Sequence, residues 1–452
     1  MLDLLTAVNA KANSLVWGPP MLAALLGVGL YYSMGTRLVQ FAKLGASFRE
    51  TFGRMFDREG GKAGDVTPFQ AVTVAMGGTV GVGNIAGVAT AIALGGPGAV
   101  FWMWVSGFLG MATKFGEVAL GIHYRVREEG GPMAGGPMHY IKRGMGGGFT
   151  FLAATFSFFG ALAALGIGNM VQSNSVAEGF AKFGVPRIYT GLFLVVAVGL
   201  VTVGGIKRIA QVAMVFVPFM CVLYFLGCLG VIVYHAAALP AAFALIFSRA
   251  FTPAAAAGGF AGATMMQALR YGVARGVFSN EAGLGSAPIA HATAMTPHPV
   301  AQGMWGVMEV FIDTIVICTA TALAIMASGT WTSGKTGAEL TMLAFDRTYA
   351  GEIGSLIVAV SMIMTAYDTN LAWCFYGETC ASFLFGKGSR PLYRVLWLPF
   401  VAAGAIWKLE TVWNVSDTLN GLMAIPNLIA LFALGGVVFR LTGGYFGKNA
   451  EK

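Results

Sequence analysis

The sequence predicts an all-α polytopic membrane protein with eleven transmembrane helices in one membrane domain. Three observations carry that reading. Of the 452 residues, 56% are apolar and only 11% charged, with a mean hydropathy of +0.72. A soluble domain usually carries about 25% charged residues, so most side chains here must face lipid or one another. Eleven stretches are long and apolar enough to cross a bilayer, at about 20 residues per crossing. Two of the eleven are interrupted by glycine clusters where a helix should fail.

The stretches run over 15–38, 68–93, 98–122, 149–180, 188–204, 209–234, 258–290, 305–328, 350–384, 392–410 and 418–440. The first has neither a basic leader nor an A-x-A cleavage site, so it reads as a retained helix. The second contains Gly77-Gly78-Thr79-Val80-Gly81-Val82-Gly83-Asn84. The seventh contains Ser279-Asn280-Glu281-Ala282-Gly283-Leu284-Gly285-Ser286-Ala287-Pro288. Glycine costs roughly 1 kcal/mol against alanine inside a helix. In lipid, broken backbone is tolerated only where it is buried in protein or lines a cavity. Two breaks at corresponding positions of two halves mark the binding site of a solute transporter.

Basic residues then orient the chain. Arg37, Lys43, Arg49, Arg54, Arg58 and Lys62 follow the first stretch; Arg125, Arg127, Lys142 and Arg143 follow the third. Lys207 and Arg208 follow the fifth, Lys387, Arg390 and Arg394 the ninth, and Arg440, Lys448 and Lys452 the last. The opposite loops hold only Lys11, Lys182, Arg187, Arg249, Lys335, Arg347 and Lys408. The positive-inside rule places the N-terminus outside and the C-terminus in the cytoplasm of a multi-pass plasma-membrane protein. The net charge of +8 follows from this bias and, dispersed over short loops, is no nucleic-acid signal. With the first stretch set aside, the breaks fall in the first and sixth of ten helices. Five spans per half makes the halves inverted. The expected organisation is an extra helix and basic loop over 1–66, a first repeat over 67–240 and a second over 241–452.

Longer motifs carry a resemblance. GGTVGVGNIAGVATAIALGGPGAVFWMWV, GMATKFGEVALGIHYR, GGPMHYI, GNMVQSNSVAE, GVFSNEAGLGSAPIAHA and VFIDTIVICTAT together look like the alanine or glycine:cation symporter family. That resemblance covers nearly the whole chain. It implies the inverted five-helix repeat shared with neurotransmitter:sodium symporters, the LeuT-like transporter fold, plus one extra N-terminal helix. It also implies sodium-coupled uptake of small neutral amino acids such as alanine or glycine.

The chemistry of a break agrees. Exposed amides at a half-helix N-terminus suit a carboxylate, and the opposed carbonyls suit an ammonium or sodium ion. By resemblance, the amides around Val82 and Gly83 hold the substrate carboxylate with Thr79 beside them, and the carbonyls of Gly77 and Val80 face sodium. Asn84 is either a further polar contact or a helix-packing residue. Gln172, three residues after Asn169, is either a substrate ligand or interhelical glue. Phe278, Ser279 and Asn280 can close the pocket from the second break. Trp373 either caps a small side chain or simply packs.

Charged residues inside spans are functional suspects or structural pairs. Lys114 and Glu117, three apart, read as a local pair. Glu309 and Asp313, four apart, place like charges on one helical face, with Arg270 and Arg275 as candidate partners. Asp368 departs from the family pattern, in which a neutral hydroxyl residue stands at the expected sodium position between Thr365 and Thr369. Tyr367 and Asn370 depart too. A hard cation prefers oxygen ligands, and an unpaired buried carboxylate must bind a cation or a proton. The coupling ion is therefore Na+, with H+ as the alternative.

Other classes fit less well. G-x-G-x-x-A at Gly81–Ala86 lacks the strand and the following acidic residue of a dinucleotide site. No H-E-x-x-H or G-x-S-x-G motif is present, and the five histidines scatter at or near loops, which disfavours an enzyme. A channel would be built around a continuous pore rather than interrupted helices. The five cysteines sit in apolar runs without zinc or disulfide spacing. No organic cofactor and no obligate protein partner are expected; membrane lipid is the remaining partner.

Overall fold

Thr67 Oγ1 accepts from the amide of Gln70, and Gln70 Oε1 accepts from the amide of Thr67, a reciprocal cap with Pro68 in the first turn. Proline there sacrifices no helical hydrogen bond, so the second apolar run enters helix at its first residue. The computed structural model describes residues 2–55, 63–129, 131–181, 183–251, 265–407 and 409–448. Arg58, Lys62, Lys182, Lys408 and Lys452, counted in the charge bias, lie outside the described residues, as do 258–264 of the seventh stretch.

The first main helices are α1 (Leu2–Val16), α2 (Pro19–Gly35), α3 (Pro68–Thr79), α4 (Val88–Gly95) and α5 (Gly98–His123). Then come α6 (Thr150–Ala163), α7 (Val171–Ala181), α8 (Arg187–Thr202) and α9 (Gly205–Tyr234). The second half contributes α10 (Met265–Asn280), α11 (Ala287–His291), α12 (Pro299–Val310) and α13 (Thr319–Ala327). It ends with α14 (Ile353–Phe385), α15 (Ser389–Ile406) and α16 (Leu409–Lys448). Four segments among the described residues are π-helical, and three of them lead into main helices: Gly83–Gly87, Ala164–Met170 and Phe311–Cys318; the fourth, Ile141–Met145, lies in a loop. One two-stranded ribbon pairs Val126 with Ala134.

Apart from the two breaks and a few turn residues, helix occupies the described part of every predicted stretch. Among the described residues, six helices pass as membrane-crossing by length and hydropathy, and α3 with Gly83–Gly95, bent by 46°, makes a seventh. Both predicted breaks are real. The first falls at Val80 and Gly81, and the second spans 281–286, so Ser279 and Asn280 are the last helical residues rather than part of the gap.

The two broken helices run in opposite directions. Val66, just before α3, bridges to Ala294 just past α11. At the other end, Gly95 of α4 lies against Tyr271 and Gln267 of α10. Phe193, Leu200, Val215, Phe219 and Val222 are exposed along α8 and α9. A contiguous apolar surface of that kind suits lipid. The core lies where α3, α5, α10, α12 and α14 meet, around the breaks.

Candidate functional site

Val80 ends α3 with φ −77° and ψ 81°, and the amide of Gly81 reaches back to the carbonyl of Thr79 at 2.9 Å. That inverse γ-turn swings the chain out of helix before it resumes at Val82. Gly81 also donates to Asn84 Oδ1 at 2.9 Å, and Val82 donates to Gln172 Oε1 at 3.3 Å. Gln172 thereby ties α7 to the amide expected to hold a substrate carboxylate, its Nε2 donating to Ile167 at 3.1 Å. Thr79 is buried beside them.

The second break uses positive-φ backbone. Gly283 (φ 90°) and Gly285 (φ 81°) take left-handed conformations that favour glycine, and Glu281 adopts φ 56° beside them. Glu117 of α5 accepts both freed amides, Gly283 at 3.1 Å and Gly285 at 3.0 Å, and Asn427 of α16 at 2.6 Å. Asn280 caps the gap through Ala282 at 2.9 Å. Glu281 accepts the indole N–H of Trp373 at 2.8 Å and the hydroxyl of Ser286. Trp373 packs on Gly168, where any Cβ would overlap its own, so it ties α14 to the joint after α6 as well.

Asp313 brings the breaks together. It accepts from Asn84 Nδ2 of the first break at 2.6 Å and from Ser279 Oγ of the second at 3.0 and 3.1 Å, with Thr314 at 2.7 Å. Phe278 and Ser279 also lie against Gly83, where a Cβ would sit 3.2 Å from the Phe278 ring. The predicted residues Val82, Gly83, Asn84, Phe278 and Ser279 are thus neighbours. Asn280 turns instead toward Thr314, and Asn169 toward the carbonyl of Trp397.

On the other side of α3, Thr369 donates to the carbonyl of Gly77 at 2.8 Å and lies 2.9 Å from the carbonyl of Thr365. Asp368, one residue earlier, packs on Gly77 at 1% exposure. Neither of its carboxylate oxygens has a hydrogen-bond partner. A bare carboxylate in that setting is strongly disfavoured, so the group must carry a proton or meet a cation.

The local pairing expected within α5 does not form. Lys114 instead crosses to Glu309 at 3.1 Å, and Glu309 also meets His291 at 2.9 Å, all fully buried. His291 is therefore a core residue rather than a loop histidine. Glu309 and Asp313 take separate partners, Glu309 on Lys114 and His291, Asp313 on Asn84, Ser279 and Thr314. Arg275 meets neither; it pairs with Asp417 at 2.9 Å. Breaking a buried pair costs about 3–5 kcal/mol. Lys114→Met is expected to lose folded protein in a detergent melting assay, and Glu309→Gln added to it should restore part of the loss.

Ion pairs flank the breaks on both sides. Arg275–Asp417 lies at one end, over the stacked rings of Phe278 and Trp413, 5.0 Å apart. At the other, Arg390 joins Glu128 and Glu378 at 3.0 Å each, and Arg394 also holds Glu378. His139, in the loop helix Pro137–Tyr140, is pushed down to about 4 mainly by burial, so it stays neutral at physiological pH.

Two antiparallel interrupted helices, meeting at a buried carboxylate beneath ion pairs at both ends, define a membrane transporter of the discontinuous-helix class. The chain belongs to the sodium:alanine symporter family, which it matches over residues 2–452. The family is one of transporters, not enzymes, and the membership read from the motifs stands. The chain is 45% identical over 460 residues to the sodium/alanine symporter AgcS of Methanococcus maripaludis, covering 100% of both. It is 43% identical over 443 residues to an uncharacterized transporter of Haemophilus influenzae, covering 97% of this chain and 96% of that one. A Na+-coupled sialic acid symporter, solved in a substrate-bound outward-open state, has the same fold at TM-score 0.56 and 14% identity. That likeness covers 94% of this chain and 86% of the other.

Proposed function

We propose that this protein takes up a small neutral amino acid, such as alanine or glycine, by sodium-coupled alternating access. The observation that carries the reading is the meeting of the two broken helices, with Asn84 and Ser279 both on Asp313, Gly83 against Phe278 and Ser279, and the Gly77 carbonyl bonded to Thr369. The naming of a 45% identical relative as a sodium/alanine symporter supports it. In this reading Thr79, Val82, Gly83, Asn84, Gln172, Phe278, Ser279, Asn280 and Trp373 surround the amino acid, and Gly77, Val80, Thr365, Asp368 and Thr369 surround the ion. Eleven spans, two inverted repeats and an external N-terminus complete it. The Arg275–Asp417 pair then closes the outer path and the Arg390–Glu378–Arg394 group the inner one.

Coupling to one cation is energetically adequate. A potential of 100 mV supplies about 2.3 kcal/mol per charge, and a tenfold ion gradient adds about 1.4 kcal/mol. Together they support accumulation of a neutral solute by roughly several hundredfold. Proton coupling is a second reading, favoured by the two unpartnered oxygens of Asp368. Proteoliposomes loaded with sodium and pH gradients separately, and supplied with labelled alanine, glycine and serine, test both. Uptake indifferent to either gradient would overturn the symport reading.

A further inference from the structure

A cavity of about 390 Å³ lies where the turn between α8 and α9 meets the start of α15, beside the Arg390–Glu378–Arg394 group. Its charged lining sets Arg127, Lys207, Arg390 and Arg394 against Asp65 and Glu378. Both acids are already committed. Asp65 pairs with Arg127 at 3.3 Å, and Glu378 is shared by Arg394 and by Arg390 at 3.0 Å. Arg390 also reaches Glu128 at 3.0 Å. Lys207, in the first turn of α9, has no carboxylate within ion-pair distance among the described residues. Arg394 lies over the turn itself. Its Nη1 donates to the Val203 carbonyl at 3.2 Å, and a Cβ on Gly205, at φ 63°, would come within 3.1 Å of its Nη2. A spare ammonium and a guanidinium, set at a helix start whose amides lack helical acceptors, suit a phosphate.

The surroundings decide what carries that phosphate. α8 and α15 lie side by side, with Leu398 3.5 Å from where a Cβ of Gly199 would stand. Leu200 and Val203 on one, and Leu392 and Val395 on the other, are exposed. The face of α9 that starts at Lys207 continues at helical spacing through Gln211 to Val215, Phe219 and Val222, again exposed. A soluble phosphate would make no use of these apolar surfaces, whereas acyl chains would cover them. The charge bias puts this end of the helices on the cytoplasmic side, where basic pockets between spans meet anionic headgroups.

We propose that the cavity holds the headgroup of an anionic phospholipid of the inner leaflet, its phosphate on Lys207 and Arg394 and its chains along α8 and α9. A phosphate there competes with Glu378 for Arg394. Glu378 belongs to α14, the helix that carries Asp368 and Thr369, so occupancy loosens the group that closes the inner path and speeds the transport cycle. This last step rests on the alternating-access reading above; the site itself does not.

Native mass spectrometry of the full chain, purified in detergent with phosphatidylglycerol, counts retained lipid without reference to transport. The wild type is expected to keep one phosphatidylglycerol, Lys207→Gln none, and Lys207→Arg one. Arg208→Gln removes the same charge from the neighbouring residue, outside the cavity lining, and should keep the lipid. At saturating sodium and alanine, adding phosphatidylglycerol to phosphatidylcholine proteoliposomes should raise the wild-type uptake rate about threefold and leave that of Lys207→Gln nearly unchanged. Inorganic phosphate in pure phosphatidylcholine vesicles should not substitute. No lipid on the wild type, equal retention by Lys207→Gln, or loss from Arg208→Gln as well would overturn the site, the last by showing diffuse attraction. Stimulation by inorganic phosphate would overturn the lipid as its occupant. Retention with an unchanged uptake rate would overturn the link to the inner path. Absence of uptake from every vesicle would sink the symport reading, while the retention count would still decide the site.

Discussion

Asp368→Asn is expected to abolish sodium-driven accumulation, bringing the inside-to-outside ratio of labelled alanine from roughly several hundredfold to near unity. The amide has the shape of the carboxylate but no charge with which to hold a cation. Because neither oxygen of Asp368 is hydrogen-bonded, the change removes no internal contact, and the melting temperature in detergent should hold or rise. A transport defect without a stability defect separates an ion ligand from a packing residue. Asp368→Thr, which restores a neutral hydroxyl beside Thr369, should recover sodium dependence with a different half-saturation. Unchanged ion dependence in the asparagine variant would remove Asp368 from the coupling site.

The second large effect belongs to Glu117→Ala. Its Oε1 is the acceptor for the amides of Gly283 and Gly285 and for Asn427. Each buried donor left without an acceptor costs about 1–3 kcal/mol, so the second break loses several kcal/mol of support. The apparent melting temperature should fall by roughly 5–10 °C, with uptake lost. Glu117→Gln keeps one oxygen in place and should recover most of the stability. A melting temperature unaffected by the alanine change would show that the break is held by its own glycines.

The fold was legible because its signals are local. Glycine clusters at 77–83 and 283–285 each announce a failed helix, and the structure breaks at both. What surrounds the breaks was less legible, since it depends on which turn of which helix faces which neighbour. Lys114 and Glu117 lie three apart, a spacing that suggests one another as partners. In three dimensions each finds a better one on a different helix. Asp313 is hard to read for a different reason. Its partners Asn84 and Ser279 stand far from it in sequence, on the two broken helices. The signal that could have found Asp313 was the pair of amide and hydroxyl residues, Asn84 and Ser279, flanking two separate breaks without an evident acceptor.

The same joints constrain how the sequence can change. Asn84, Asp313 and the chain leading into Gln172 all belong to segments wound one residue too loosely. Deleting a single residue from any of them would let the backbone tighten into ordinary α-helix. Because each wide turn takes up the extra residue, the helix beyond it would keep its facing, and Thr319 would still meet Trp104, its present partner at 2.8 Å. Such a shortened chain would retain its hydropathy profile, yet the side chains within the turns would be re-aimed, and Asn84 and Asp313 would lose the alignment of their 2.6 Å bond. In these three places chain length itself, as much as residue type, is a requirement that a designer of variants must respect.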